Sequence, residues 1–337
     1  MIRLACVPVA DREAWERAQA GLELQAAQDW SYNRILAEGL GLPMELFVAE
    51  GPQGRAACPL FRRPIEAGQR FDLATPVGFG GFAATGALPG LRAAWTEFWR
   101  AAGAVSAYVQ IHPLTGAALL AGPLAEFAPD AAPGPVTVTL PLAGRSAEDV
   151  LQGMRRDHRS RIRQWLAREG GFELDQEALG EAFVSMFPAV REERGMGALY
   201  ALPADALRAL IAHPSCWMVG ARGADGEIEA VSLFLLTETG ADYHLNAARG
   251  EGRRHARALV WAAILECLER GIPALHLSGG VSAGDSLDEF KTGFGGVRSP
   301  SIVLRSVIDP EAYATLCAAA GVKPSSADGY FPAYRRP

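Results

Sequence analysis

One order of elements occurs twice along the chain: a strand, helices, antiparallel strands, a helix and a strand. An Ala/Gly/Pro-rich connection at residues 116–135 separates the two copies, and the second begins with an alternating strand at residues 136–140. Adjacent antiparallel strands in each copy argue against a doubly wound parallel sheet. We therefore predict an α+β fold of two domains, each a mostly antiparallel mixed sheet flanked by helices. The predicted bounds are 1–135, with 305–337 returning to this domain, and 136–304.

Composition narrows the class of protein. The chain has 337 residues, a formal net charge of −6 and a pI of about 5.6, so it is no globally basic nucleic-acid binder, and only a local basic patch would hold a polyanion. The five cysteines are scattered without zinc-ligand spacing, which predicts no metal site and a reducing compartment. No signal peptide or apolar run of about 18 residues is present. We expect a cytoplasmic protein without a membrane span, monomeric or weakly dimeric.

A basic stretch follows the start of the second copy. Residues 154–165 contain five arginines and a histidine, interrupted by a single acid, Asp157. The pattern predicts one long helix from Ser146 to about residue 169, on which Arg155, Arg159 and Arg163 stand at i, i+4 spacing. A solvated face is one interpretation. The lack of compensating acids favours the other, that these three arginines bind substrate phosphate.

A second candidate phosphate site lies at residues 249–256, where a strand leads into a helix. Glycines before a helix start free backbone amides for an anion, and we assign donor-phosphate binding to Arg249, Gly252, Arg253 and Arg254. The spacing partly matches the pyrophosphate loop of GNAT acyltransferases, but Arg254 stands where that loop has a small residue. The match neither establishes nor excludes coenzyme A.

The strand before this turn carries the candidate acid–base groups. Simple alternation at residues 242–246 places Tyr243 and Leu245 on one face and His244 and Asn246 on the other. A lone strand histidine is more often structural than catalytic. Neither a Ser/His/Asp order nor a P-loop is present, so no covalent nucleophile is predicted.

The densest motif follows the last strand of the second copy. A Ser278-Gly279-Gly280 turn and a polar loop lead to a short helix in which Phe290 and Phe294 share one face. Lys291 lies beside Phe290, and we expect its ammonium to point into a cleft. A packed loop with a solvated lysine is the alternative interpretation.

These motifs, in this order, resemble the FemABX-like branch of the GNAT superfamily. The resemblance is carried by residues 75–82, 159–163 and 243–246, by Gly279-Gly280 and by residues 290–296. It implies two GNAT-like domains and transfer of an aminoacyl group from aminoacyl-tRNA to an amine, commonly on a peptidoglycan precursor. Lys291 matches the family's lysine near the acceptor phosphates or the reacting carbonyl. Tyr243 and His244 would then line the acceptor site, with Phe290, Gly279 and Gly280 contributing to substrate binding.

The resemblance implies aminoacyl-tRNA as co-substrate and no tightly bound cofactor. Its amine-bearing acceptor is unidentified, with phosphorylated and nucleotide-linked molecules among the candidates. The helical arm that some members use for tRNA is absent from the sequence pattern. Two alternatives stay open: an acyl-CoA-dependent N-acyltransferase, and a non-catalytic module that binds a phosphate-containing ligand.

Overall fold

The computed structural model describes residues 2–65, 69–168, 171–279, 286–324 and 329–336. The chain forms two compact units: residues 1–134 with 301–337, and residues 135–300. Two strands cross these bounds, and each is described with the unit in which its pairing residues lie.

The strands are bounded in chain order as follows: β1 (Arg3–Pro8), β2 (Met44–Gly51), β3 (Gln53–Pro64), β4 (Phe71–Ala74), β5 (Ala83–Ala87), β6 (Ala104–Ile111), β7 (Ala131–Pro141), β8 (Cys216–Arg222), β9 (Ile228–Leu236), β10 (Ala241–Ala248), β11 (Ala274–Gly279) and β12 (Val297–Val307).

The helices are α1 (Arg12–Gln19), α2 (Trp30–Leu40), α3 (Leu91–Ala101), α4 (Gly116–Ala121), α5 (Ala147–Gly153), α6 (Arg156–Arg168), α7 (Gln176–Glu193), α8 (Ala204–Ile211), α9 (Ala256–Glu269), α10 (Ser286–Thr292) and α11 (Pro310–Ala319). Short 3-10 helices occur at Ala26–Gln28, Ala125–Asp130, Ala198–Tyr200, Gly250–His255 and Ala333–Arg335.

The first unit has the strand order β1-β2-β3-β4-β6-β12, with β5 paired to β3. Only the β4–β6 pair is parallel among the pairings of this unit's described residues. Helix α3 packs its buried Trp95 and Trp99 against Phe47 of β2, with ring centroids 4.7 and 6.0 Å apart. Large aromatic side chains thus fill this core.

The second unit has the order β7-β11-β10-β9-β8. Strand β9 is antiparallel to both β8 and β10, and β7 is antiparallel to β11, whereas β10 and β11 run parallel and are joined by α9. The α9 helix is apolar on most sides, and Val260, Ala263 and Ile264 are fully buried in the core. The α+β class with mostly antiparallel sheets flanked by helices is confirmed.

The predicted long helix from Ser146 is wrong, because it breaks into α5 and α6. Ser146 and Asp149 form the predicted capping box, but α5 ends at Gly153. The Arg159 guanidinium then donates to the carbonyls of Gln152 and Met154, at 2.7 and 2.9 Å. These bonds satisfy carbonyls that the interrupted helix leaves without amide partners.

Among the described residues, no helix has the length and apolar character needed to cross a bilayer. The five cysteines are free thiols.

Candidate active site

The second unit contains a cavity of about 630 Å³ whose walls come from β9, β10, α7, α9, α10 and the end of β11. Its lining combines apolar side chains with four cationic ones, Arg194, Arg253, Arg257 and Lys291, and one carboxylate, Glu193. A cavity of this size with a few polar groups suits a small molecule or the reactive end of a larger one.

The cavity opens where the two parallel strands part. In the part of the chain that the structure describes, β10 and β11 pair at Ala241 with Leu275 and at Asp242 with His276. Beyond that point Ser278 takes a left-handed backbone conformation, φ 59°, which is unfavourable for a serine. Its hydroxyl donates to the Tyr243 carbonyl at 3.2 Å, bridging the separated strands. Ser278 lines the cavity and was not predicted from the sequence.

A β-bulge rearranges the side chains of β10. The register with β9 shifts between Tyr243 and Leu245, so strict alternation ends there. The Asn246 amide donates to the Tyr243 hydroxyl at 2.6 Å, which places these two side chains on the same side. The predicted division into a Tyr243 face and an Asn246 face is therefore wrong. Tyr243 is buried and stacks on Phe234 with centroids 5.0 Å apart, and burial raises its pKa.

His244 occupies the bulge and lines the cavity half-buried. Burial lowers the pKa of its imidazole to about 4, against a smaller opposing effect of Asp242. The ring is consequently neutral at pH 7 and able to accept a proton from an acidic donor.

Lys291 is buried, 5% exposed, and its ammonium donates to the Gly279 carbonyl at 2.6 Å. It lines the cavity as predicted, but the alternative of a solvated lysine does not hold. Gly279 supplies this carbonyl and also needs its small size, because a Cβ there would lie 2.4 Å from the Val136 carbonyl oxygen. Gly280, the other predicted glycine, lies outside the described residues.

The Phe290–Lys291 helix is held from behind by His158 of α6. The His158 ring contacts Phe294 edge-on at 4.8 Å, and its Nε2 bonds the Phe290 carbonyl at 2.9 Å. A Cβ on Gly293 would lie 2.2 Å from the same ring, so glycine is required there. Burial lowers the His158 pKa, which favours the neutral ring. His158 is a positioning residue that the sequence pattern did not reveal, since its partners lie far along the chain.

Arg257 is the main cavity cation that the sequence analysis missed. It stands in the first turn of α9, with its guanidinium carbon 5.5 Å from the centroid of Phe290. Its Nε is buried without a hydrogen-bond partner among the described residues. Burial lowers its pKa, with a further contribution from Arg161. The sequence signal that could have identified Arg257 was its position in the first turn of a helix that follows a glycine-containing turn.

The predicted donor-phosphate turn is occupied by internal contacts. The Gly252 amide donates to the Arg249 carbonyl at 2.8 Å, and a Cβ at Gly252 would lie 2.2 Å from the Glu229 carbonyl oxygen. Each arginine faces a carboxylate: Arg249 with Glu227 at 3.4 Å, Arg254 with Glu229 at 3.5 Å, and Arg253 with Glu193. Gly252 and Arg253 line the cavity, whereas Arg249 and Arg254 are not in its lining.

Behind this turn a buried chain of hydrogen bonds reaches α6. The Trp165 indole donates to Nδ1 of His255 at 2.7 Å, so the proton of that imidazole sits on Nε2, which lies 3.2 Å from the Glu229 carboxylate. These hydrogen bonds fix the turn at residues 249–255 to α6 through Trp165 and to β9 through Glu229.

The three predicted substrate-binding arginines do not line the cavity. Arg155 precedes α6 and Arg163 lies on its exposed side. Arg159 caps α5, as described above. The cavity and this arginine stretch are thus separate surfaces of the second unit.

Several solved structures share the fold of this chain. No family model and no curated protein sequence matches the chain. The crystal structure of FemX matches with a TM-score of 0.65 at 13% identity, covering 93% of this chain and 99% of FemX. The C-terminal domain of a putative lysylphosphatidylglycerol synthetase from Agrobacterium fabrum gives 0.55 at 17%, covering 91% and 95%. L-PGS from Bacillus licheniformis gives 0.53 at 15%, covering 87% and 91%.

At these identities the likeness defines the fold alone. The chain has a FemX-like fold, as its sequence resemblance to the FemABX-like branch implied.

Proposed function

We propose that this protein is an amide-forming acyltransferase that moves an aminoacyl group from aminoacyl-tRNA to an amine. The observation that carries the proposal is the cationic cavity between β10 and β11, where Lys291, His244 and Tyr243 converge in a protein of FemX-like fold. Of the motifs that resemble the FemABX-like branch, residues 243–246 and the Phe290–Lys291 pair line this cavity.

The chemistry needs little from the protein beyond positioning and charge stabilisation. The neutral acceptor amine attacks the carbonyl carbon of the aminoacyl ester, forming a C–N bond and a negatively charged oxygen. The C–O bond to the tRNA ribose then breaks, and a proton passes from the nitrogen to the departing ribose oxygen. In this proposal Lys291 stabilises the developing negative charge. His244, neutral because its pKa is lowered, accepts the amine proton and returns it to the leaving group.

The state of residues 249–255 supports tRNA over acyl-CoA as donor. A pyrophosphate seat requires free backbone amides, and the Gly252 amide is already bonded to the Arg249 carbonyl. An arginine, Arg254, also fills the position of a small residue. An aminoacyl ester on tRNA needs no pyrophosphate seat in the cavity.

The acceptor is proposed to carry an anionic group besides its amine. Arg257 and Arg194 line the cavity, and no described carboxylate forms an ion pair with either. Arg257 is partly desolvated against Phe290, which strengthens its attraction for an anion. Phosphorylated and nucleotide-linked amines fit this requirement.

A donor screen tests the proposal. The protein is incubated with a charged tRNA pool carrying labelled amino acids, or with a panel of acyl-CoAs, and with amine acceptors that do or do not bear a phosphate. Transfer from tRNA alone is expected. Transfer from acyl-CoA alone would replace the donor. Saturable binding without product in single-turnover assays would identify a non-catalytic binding module.

A further inference from the structure

Helix α6 and the residue before it carry a set of arginines without ion-pair partners. The exposed members that form no ion pair with any described carboxylate are Arg155, Arg156, Arg161, Arg163 and Arg168. Several exposed arginines elsewhere do pair, such as Arg12 with Glu16 at 2.8 Å and Arg208 with Glu181 at 3.1 Å. In a chain of net charge −6, an uncompensated cluster of this size is a local positive field.

The helix geometry arranges four of these arginines in two rows. Arg156 and Arg163 are seven residues apart, as are Arg161 and Arg168, so each row spans about 10 Å along the axis. Ser160, Gln164 and the exposed Asp157 lie between the rows; the Gln164 amide is 3.2 Å from the Ser160 hydroxyl, and the Asp157 carboxylate is 3.4 Å from Nδ1 of His158. Two rows of guanidinium groups that outnumber the single acid between them suit a phosphodiester backbone.

The opposite face of α6 leads directly to the cavity. His158 contacts the Phe290–Lys291 helix, and Trp165 holds the turn that precedes α9 through His255. On the flank, Arg161 lies close enough to Arg257 for their like charges to interact. The arginine surface and the cavity are separate surfaces that approach each other at Arg161 and Arg257.

We propose that the exposed arginine face of α6 docks the RNA backbone of the aminoacyl-tRNA donor and so delivers its charged end to the cavity. The assignment rests on the proposed function for the identity of the donor. An anionic membrane surface fits less well, because an interfacial helix inserts an apolar face and the apolar face of α6 is buried as Ile162 and Trp165. Leu166 is exposed, at 43%, but a single leucine does not form such a face.

The test is tRNA binding as a function of salt. A variant carrying Arg156→Gln, Arg161→Gln, Arg163→Gln and Arg168→Gln is compared with wild type by fluorescence anisotropy between roughly 50 and 200 mM salt. Each lost phosphate contact removes roughly 0.7–0.9 from the slope of log K against log salt. We expect the slope to flatten by about 3 and the Kd to rise by on the order of 100-fold at the low-salt end.

A matched control removes the same charge elsewhere. Arg3→Gln, Arg12→Gln, Arg208→Gln and Arg270→Gln change arginines that are all exposed and paired with carboxylates, and both quadruple variants lose four positive charges. The control should bind tRNA like wild type, and thermal melting should show both variants folded. Equal weakening in the two variants would overturn the docking surface, since net charge would then explain it. Loss of binding to phosphatidylglycerol vesicles with unchanged tRNA binding would also overturn it.

Donor length separates this inference from the proposed function. With a short aminoacylated trinucleotide that reaches only the cavity, the α6 variant should keep wild-type turnover, while losing it with full-length aminoacyl-tRNA at limiting concentration. Equal loss with both donors would overturn the docking role. If wild type transfers from neither donor, the proposed function fails, and the salt experiment still decides whether α6 binds RNA.

Discussion

Among the described residues, each unit contains one pair of parallel strands, and the two pairs end differently. In the first unit β4 and β6 pair through four residue positions, ending at Ala74 with Tyr108. The buried Asp72 carboxylate within this pair accepts a hydrogen bond from Ser106 at 3.0 Å and contacts Tyr334 and Arg335. In the second unit β10 and β11 pair at two positions and then separate.

The difference between the two strand pairs shows how a cavity forms in this fold. Pairing that continues, as along β4 and β6, leaves no room between strands and allows a charged cluster to be sealed inside. A bulge at His244 and a left-handed Ser278 stop the pairing of β10 and β11, and the space between them is lined with polar and cationic groups. Substitutions in the two pairs should therefore have different effects: loss of stability at the sealed cluster, and loss of activity at the open one.

The largest expected effect on stability is in the sealed pair. Asp72→Asn should lower the free energy of unfolding by about 3–5 kcal/mol, because it leaves Arg335 and the half-buried Arg63 without their buried counter-charge. Turnover per folded molecule should be unchanged. Urea unfolding measures the first quantity and an activity assay the second. The control Glu16→Gln removes a carboxylate from an exposed ion pair and should change neither the free energy of unfolding nor turnover. An Asp72→Asn protein as stable as wild type would contradict the structural role of Asp72.

The pH dependence of stability probes the open pair. Unfolded His244 titrates near 6.5, and burial lowers the pKa in the folded protein to about 4. Between these values the unfolded state binds more protons, so the free energy of unfolding falls as pH falls from 6.5 to 4, by on the order of 3 kcal/mol. Urea titrations at several pH values should show a smaller fall for His244→Asn. His158, whose pKa burial also lowers, contributes equally in both proteins. Parallel curves would refute the assignment.

Lys291→Met should reduce acyl transfer by on the order of 100-fold, as expected for loss of one preorganised charge. Removal of a solvated lysine would leave folding nearly intact. Because Lys291 is buried on the Gly279 carbonyl, we now expect the free energy of unfolding to fall as well, by about 1–3 kcal/mol. The chain's other lysine, the exposed Lys323, provides the control Lys323→Met, which should alter neither quantity. A fully active Lys291→Met protein would remove the catalytic assignment.

The smallest effect is expected at the cavity wall. Arg257→Gln should raise KM for an anionic acceptor roughly tenfold with kcat little changed, as for loss of uniform binding. The control Arg270→Gln, at the far end of α9 in an exposed pair with Glu266, should leave KM unchanged. Steady-state kinetics with acceptors that carry or lack the anionic group decide the point. An equal change in KM for both acceptors would exclude an anion-binding role.

Local patterns in the sequence predicted much of the fold. Apolar alternation and periodicity predicted the helix-and-strand order, and the Phe290–Lys291 motif and His244 were correctly singled out as cavity-lining residues. The failures involve partners distant in sequence. The bond of Lys291 to Gly279, the packing of His158 on Phe294 and the bulge at His244 depend on where other elements lie, and no local spacing records that.

The arginine stretch illustrates the same limit. Its composition correctly marked an unusual surface, but i, i+4 counting assumed one unbroken helix and selected Arg159, which caps α5 instead. The break between α5 and α6 near Gly153 determines which of the arginines are exposed. The position of that break depends on packing against other elements as well as on the glycine.

The two-sided use of α6 has a thermodynamic consequence. One side packs His158 and Trp165 against the elements that line the cavity, and the other presents arginines to solvent. If bound RNA makes the Phe290–Lys291 helix more favourable in its acceptor-binding position, linkage requires the bound acceptor to tighten RNA binding by the same factor. Binding energy from RNA contacts far from the ester would then help to order the residues that act on the ester. A bound acceptor would in turn lengthen the residence time of the donor.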